Sequence, residues 1–247
     1  GAPALLASVQ RVSVPRGTWT DSDPGRVVAR RIGAPAATTV LVDVGIPQQA
    51  LVDDAVSLLL SGEIDVALVV GGEAKARAAR LDRARTRGDR AGIAEVFDAG
   101  GADDAGVAPD VHMRPEGELV DPVEIEAGLW APVELYAMVE NALAATEQHP
   151  PAELRRQVAA LWARFNQVAC SNPDAAFAEP MSAQDLCTSS PANRPLAFPY
   201  DKWHVSQWNV DQAAALLLCT ADAAERAGVP RDRWVFPLVG LESSHSL

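Results

Sequence analysis

Between Val40 and Ala74 the chain reads VLVDVGIPQQALVDDAVSLLLSGEIDVALVVGGEA, and this stretch constrains the fold more than any other. Val40 to Val44 is a short apolar run closed by Gly45. Pro47 then opens a helix carrying Leu51, Val52, Ala55, Val56, Leu58, Leu59 and Leu60, and Gly62 ends it. Asp65 to Val70 is a second apolar run, closed by Gly71-Gly72. Continuous apolar strands alternating with a helix predict a buried sheet covered by helices, an α/β fold. The turn Val44-Gly45-Ile46 stands at the head of a buried helix, where the N-terminal dipole favours a developing negative charge. A nucleophile or an anion site belongs there, and the sequence supplies a glycine.

Composition removes several classes of function. The chain has 247 residues, 48% hydrophobic and 22% charged, enough for a real core in one or two domains. A net charge of -12 makes it a poor partner for nucleic acid or an anionic membrane. No apolar run is long enough to span a bilayer. Cys170, Cys187 and Cys219 have no CxxC spacing and the histidines do not cluster with them, so neither a disulfide framework nor a metal site is indicated. A reducing, cytoplasmic setting is the expectation. The chain enters a strand-like run soon after Gly1 and stops just after another, so it reads as one part of a longer fold.

The remaining elements follow in order. Leu5 to Val14 predicts a strand. Asp21 to Gly25 predicts a turn and a helix start, with Pro24 early in the helix and Val27, Val28 and Ile32 on its apolar side. Lys75, Arg77, Arg80, Arg83, Arg85, Arg87 and Arg90 then crowd one stretch, either as a patch for the phosphates of an anionic ligand or as a solvated helix face. Gly100 to Pro109 is the best internal boundary. Two helices follow. Glu134 to Glu147 carries Leu135, Met138, Val139 and Leu143 on one side, and Glu153 to Cys170 has a buried stripe of Leu154, Val158, Leu161, Trp162, Phe165 and Val168. Asn209 to Cys219 and Trp234 to Val239 read as strands, with a short helix at Ala221 to Ala227 between them. The domains are therefore 1–100, a strand–helix–strand core; 101–200, a mainly helical insertion; and 201–247, a return to the sheet.

Four stretches in this order resemble the thiolase superfamily, in particular its acetyl-CoA acetyltransferase-like and lipid-transfer members. They are Gln48 to Glu73 with Gly62-Glu63 and Gly71-Gly72-Glu73; Phe165 to Pro173 with Asp174-Ala175; Asn193 to Ala197 with Pro199 to Lys202; and Asn209 to Ala215. The resemblance implies one βαβαβ half with an inserted, mainly helical loop domain. It also implies that the first strand and helix and nearly all of a second half lie outside this chain. It places the nucleophilic cysteine of the superfamily at Gly45, where no thiol or hydroxyl stands.

The implied activity is chemistry on acyl-CoA thioesters in lipid or sterol metabolism. That is acyl transfer by family, or retro-aldol carbon–carbon cleavage by a CoA-dependent aldolase or lyase that forms no covalent acyl-enzyme. A non-catalytic acyl-CoA-binding or scaffold subunit is the alternative. Ser206, Gln207, Asn209 and His204 are the implied substrate contacts. His245, in Glu242-Ser243-Ser244-His245, is the candidate catalytic histidine. His112 and His149 read as solvated loop residues, Cys170 and Cys219 as core, Cys187 as an exposed thiol, and Trp162 and Trp234 as packing. No cofactor is implied beyond the coenzyme A of the substrate. The implied partners are acyl-CoA and either a second copy or a small partner domain.

Overall fold

The computed structural model describes residues 2–88, 106–117, 120–129, 131–207 and 209–241. Its strands are β1 (Arg11–Pro15), β2 (Thr38–Val42), β3 (Val66–Ala74), β4 (Val111–Met113), β5 (Pro195–Ala197), β6 (Tyr200–Asp201) and β7 (Asp211–Cys219). Its helices are α1 (Ala2–Ala7), α2 (Pro24–Arg31), α3 (Gln48–Ser61), α4 (Lys75–Arg87), α5 (Pro122–Glu126), α6 (Pro132–Thr146), α7 (Pro151–Ala169), α8 (Ala183–Cys187) and α9 (Ala221–Arg226). They fall into two units, residues 1–119 with 209–247 and residues 120–208.

In the first unit, β4-β2-β1-β3-β7 form one sheet, parallel except for β7, which runs antiparallel to β3. Strand β1 pairs with β2 on one side and with β3 on the other. One face buries Val12, Val14, Val66 and Leu68 against Leu5, Val9, Ala29 and Ala223, from the α1, α2 and α9 side. The other face packs Val40 and Val42 against Leu51 of α3. A sheet buried on both faces accounts for the continuous apolar runs in the sequence.

Local chemistry fixes the ends of α2. Asp23 caps it by accepting from the Arg26 amide at 2.9 Å, with Pro24 in the first turn. The second oxygen of Asp23 accepts from the buried Thr39 hydroxyl at 2.8 Å. Arg26 reaches Asp110 at 2.6 Å, and Asp110 accepts from the Thr39 amide at 2.8 Å. This clamp brings the chain to the edge of β2 just before β4 begins.

In the second unit, Ala144 of α6 packs with Leu154 and Val158 of α7, with Trp162 and Tyr200 against them. A polar staple joins α7 to the hairpin of β5 and β6. Arg155 donates to Asp201 at 2.5 Å and to the Cys187 carbonyl at 3.0 Å, and Ser189 donates to the same Asp201 oxygen at 3.0 Å. Asp201 is fully buried, and these donors offset the cost of burying its carboxyl group.

Several expectations from the sequence need correction. The run Leu5 to Val14 is not one strand; its first part is α1, built of the helix formers Ala and Leu, and only Arg11–Pro15 pairs. Strand β3 does not stop at Gly71-Gly72, because β7 supplies a partner for every residue through Ala74. Helix α3 is only partly buried: Leu51 and Ala55 are covered, while Leu60 is 83% exposed.

The helices of the second unit bury less than their apolar stripes suggest. On α6 the buried residues are Ala137 and Ala144, and Leu135, Met138, Val139 and Leu143 are exposed. On α7, Leu161, Phe165 and Val168 are exposed as well. Trp234 to Val239 is no strand; after a 3-10 turn at Arg231–Arg233 the chain continues without regular structure through Leu241. Cys170 is exposed and Cys187 half-buried, the reverse of the expected order, whereas Cys219 packs against the core and burial pushes its thiol pKa up.

Burial of α3 through one side predicts an asymmetric response to truncation. Leu51→Ala, at a side chain 1% exposed, should cost about 2–5 kcal/mol in urea unfolding. Leu60→Ala should change stability by no more than about 0.5 kcal/mol.

Candidate functional site

The carboxyl ends of β1, β2 and β3 lie side by side, which is where open α/β sheets bind ligands. The segment after β1, Arg16-Gly17-Thr18-Trp19, spans this mouth and is tied down on both sides. Toward β2, the Arg16 amide donates to the Val42 carbonyl at 2.8 Å and its side chain to Asp43 at 2.5 Å. Toward β3, Glu73 accepts from the Thr18 amide at 2.8 Å and the Thr18 hydroxyl at 2.7 Å, and the Trp19 indole donates to the Gly72 carbonyl at 3.0 Å. Gly17 makes this possible: a Cβ there would stand 2.2 Å from the Trp19 indole nitrogen. Partial burial pushes the pKa of Glu73 up, but the donors from Thr18 and Ala74 outweigh it and hold the carboxyl below its ordinary value.

A cleft of about 550 Å³ opens beneath this segment. Its walls come from Arg16 and Gly17, from Gln48, Leu51 and Val52 in the first turns of α3, from Gly71 to Glu73 on β3, and from Gln212 to Leu216 on β7. Gly71 lets β3 pass close to Pro15, since an added Cβ would lie 3.1 Å from its ring. The lining sets the apolar Leu51, Val52, Val69 and Leu216 beside the polar Gln48 and Gln212 and the charged Arg16 and Glu73, a mixture that suits an apolar ligand with a few polar groups.

The turn at the head of α3 has the geometry expected of it and no reagent. Val44 is 61% exposed and Gly45 takes φ 109°, a conformation that side chains resist. The N-cap is Pro47, with no side-chain cap on the first amides of the 14-residue helix. Asp43, just before the turn, is the charged centre of this end. Its two carboxylate oxygens meet different partners, Arg16 at 2.5 Å and His112 Nε2 at 3.0 Å, and Arg114 lies 3.8 Å away. The neighbouring His112 and then Arg16 hold the Asp43 carboxyl below its usual pKa. His112 is therefore not a solvated loop residue: it lies on β4, paired with β2, and faces Asp43. Sequence reasoning missed both, and the one signal for them was the Asp in the turn Asp43-Val44-Gly45.

The implied substrate contacts take different places. His204 is buried at 3% exposure in a 3-10 turn of the second unit, where Nδ1 accepts from the Asp201 amide at 3.0 Å and Nε2 has no hydrogen-bond partner among the described residues. Gln207 donates to the carbonyls of Lys202 and Val205, at 2.9 and 3.0 Å, and Ser206 is exposed. These three belong to the second unit, and Asn209, exposed, begins the return to the first. His245 and the Glu242 to His245 segment lie outside the described residues. The basic stretch forms α4, whose Arg80 pairs with Asp211 at 3.1 Å; Arg90 lies outside the described residues. Among the described residues no three His, Cys, Asp or Glu side chains are grouped to hold a metal ion, and no helix is long and apolar enough to cross a membrane.

Comparison with solved structures identifies the architecture. The chain is similar to a monomeric SCP2-thiolase-like protein type 1 from Mycobacterium smegmatis, with 27% identity and a TM-score of 0.66 over 95% of this chain and 41% of that one. It is also similar, in fold, to an Ltp2-ChsH2(DUF35) aldolase, with 17% identity and a TM-score of 0.53 over 90% of this chain and 47% of that one. No protein-family model and no curated protein matches it. The chain is a thiolase-like superfamily protein, and it spans less than half the length of either of these structures.

The buried histidine predicts how stability varies with pH. Burial, reinforced by Arg155 and opposed by Asp201, sets the pKa of His204 below the ordinary histidine value. The unfolded chain then takes up a proton that the folded one refuses. The contribution of the neutral ring is complete above about pH 6.5 and declines as pH falls below it. The urea midpoint of the intact protein should drop between pH 7.5 and 5.5, and His204→Gln should remove part of that drop.

Proposed function

We propose that this protein acts on acyl-CoA thioesters in lipid or sterol breakdown, cleaving a carbon–carbon bond by a retro-aldol route with no covalent acyl-enzyme. The observation that carries this reading is Gly45: in a thiolase-like fold, the head of α3 holds a positive-φ glycine where nucleophilic catalysis needs a thiol. The fold likeness to an aldolase supports cleavage over acyl transfer. The cleft at the mouth of the sheet suits the acyl arm of a thioester, and the uncapped amides of α3 suit the enolate that cleavage would generate. Asn209, exposed at the start of the return to the first unit, is a proposed thioester contact, and His245 a further catalytic group. The three free cysteines fit a reducing, cytoplasmic location.

A second reading is a non-catalytic acyl-CoA-binding or scaffold subunit. It is favoured by the apolar surface left open on the first unit, where Val235 and Leu238 are each 91% exposed and Leu60 of α3 is 83% exposed. Such a surface suits a second copy or a small partner domain.

Incubating the intact protein with a 3-hydroxyacyl-CoA, and separately with acetoacetyl-CoA and CoA, separates the readings. Cleavage of the first, with the protein mass unchanged throughout, is the expected result. An acyl adduct on this chain overturns the route without a nucleophile. Binding of acyl-CoA without turnover selects the scaffold reading.

A further inference from the structure

We infer that His112, held by Asp43, is the proton-carrying side chain at the mouth of the sheet. The inference rests on the cleavage reading above and supplies it with a base from within this chain. Asp43 extends the β2–β4 pairing by one bond, its amide donating to the Met113 carbonyl at 2.9 Å, so its carboxylate faces the ring of His112 in the adjacent strand. Nε2 of the ring lies 3.0 Å from Asp43 Oδ2, and Arg16 fixes the other oxygen at 2.5 Å. Arg16 thus steadies the carboxylate beside the imidazole.

The opposite ring nitrogen decides the tautomer. Nδ1 lies 3.1 Å from an Nη of Arg114, and a guanidinium only donates. With Nδ1 as the acceptor, Nε2 is the nitrogen left to carry the ring hydrogen; it lies 3.0 Å from Asp43 Oδ2 but is not aligned into a hydrogen bond there. The lone pair on Nδ1 faces a side chain that is 70% exposed and can swing into water, while the ring itself is about a quarter exposed. The charged groups around the ring are Asp43, Arg16 and Arg114. With Arg114 drawn off to an anionic group of the ligand, a protonated ring is balanced by the partly exposed Asp43 carboxylate, as a neighbouring carboxylate supports a histidine base. A purely structural clamp would need only the Arg16–Asp43 pair.

The step balances without a co-reactant. The β-hydroxyl proton of a 3-hydroxyacyl thioester passes to Nδ1 as the Cα–Cβ bond breaks. The bond pair moves to the α-carbon and the thioester oxygen as an enolate, and the β-carbon leaves as a ketone or aldehyde. The proton on Nδ1 then returns to the α-carbon, giving the shortened thioester and restoring the neutral ring.

Two measurements on the intact protein test this. With nitrogen-15 in its histidines, the His112 ring should show the Nε2–H tautomer, and saturating 3-hydroxyacyl-CoA should move its Nδ1 resonance while leaving that of His149 in place. His112→Gln should keep thioester affinity within about twofold, lower cleavage by about 100-fold or more, and abolish the rising limb of the pH–rate profile. Asp43→Asn should lower cleavage by a smaller factor. A His112 resonance unmoved by bound thioester overturns the assignment, as does a His112→Gln enzyme with unchanged rate and pH profile. In both cases the cleavage reading survives. If the wild type neither binds nor cleaves the thioester, that reading falls and the assignment falls with it.

Discussion

Strand β1 is the constraint on which the first unit depends. It pairs in parallel with β2 on one edge and β3 on the other, so the carboxyl ends of all three are brought to one side of the sheet. Parallel neighbours require crossover connections, and α2 and α3 are those crossovers, one on each face. The segment leaving β1 can then reach both Asp43 and Glu73, and the two carboxylates fix it through Arg16 and Thr18. Mouth, cleft and helix head are thus consequences of one strand's position. The acidity of these carboxylates serves the same end, because each is held ionised by hydrogen-bond donors at neutral pH.

The second unit relies on a different kind of interaction. Its helices cover few large side chains, and small residues such as Ala137 and Ala144 fill the seam. Order there comes from polar contacts of high cost if broken: Asp201 with Arg155 and Ser189, Asn193 with three backbone groups, and Tyr200 with Glu140 at 2.8 Å. Burial and the neighbouring Glu140 push the Tyr200 hydroxyl up to about 12. A neutral, buried His204 completes this set, and its ring is sensitive to acid for the same reason that the staple is firm: few waters reach it.

Elements set by local pattern were legible in the sequence. The strand, helix and strand from Val40 to Ala74, the two helices of the second unit, and the apolar strand ending at Cys219 all follow from periodicity and from their breakers. What could not be read depends on partners far along the chain. Whether Leu143 or Ala144 faces inward is decided by Leu154 and Val158, not by hydrophobicity alone. Gly71-Gly72 reads as a strand end until β7, about 140 residues later, pairs with it. His112 looks like a loop residue because its strand is three residues long; only the proximity of Asp43 gives it a chemical role. The site was legible where it is empty, at Gly45, and illegible where it is charged.

The claim at the centre of this account is that the mouth of the sheet, between the Gly45 turn and the Asp43–His112 pair, is where a thioester is held. A crystal structure of the intact protein with a non-cleavable thioether analogue of a 3-hydroxyacyl-CoA tests it most directly. The account predicts the β-hydroxyl within hydrogen-bond distance of His112 Nδ1, Arg114 displaced from that nitrogen, and the carbonyl oxygen facing the first amides of α3. An analogue bound elsewhere, with the His112–Arg114 contact intact, would contradict it.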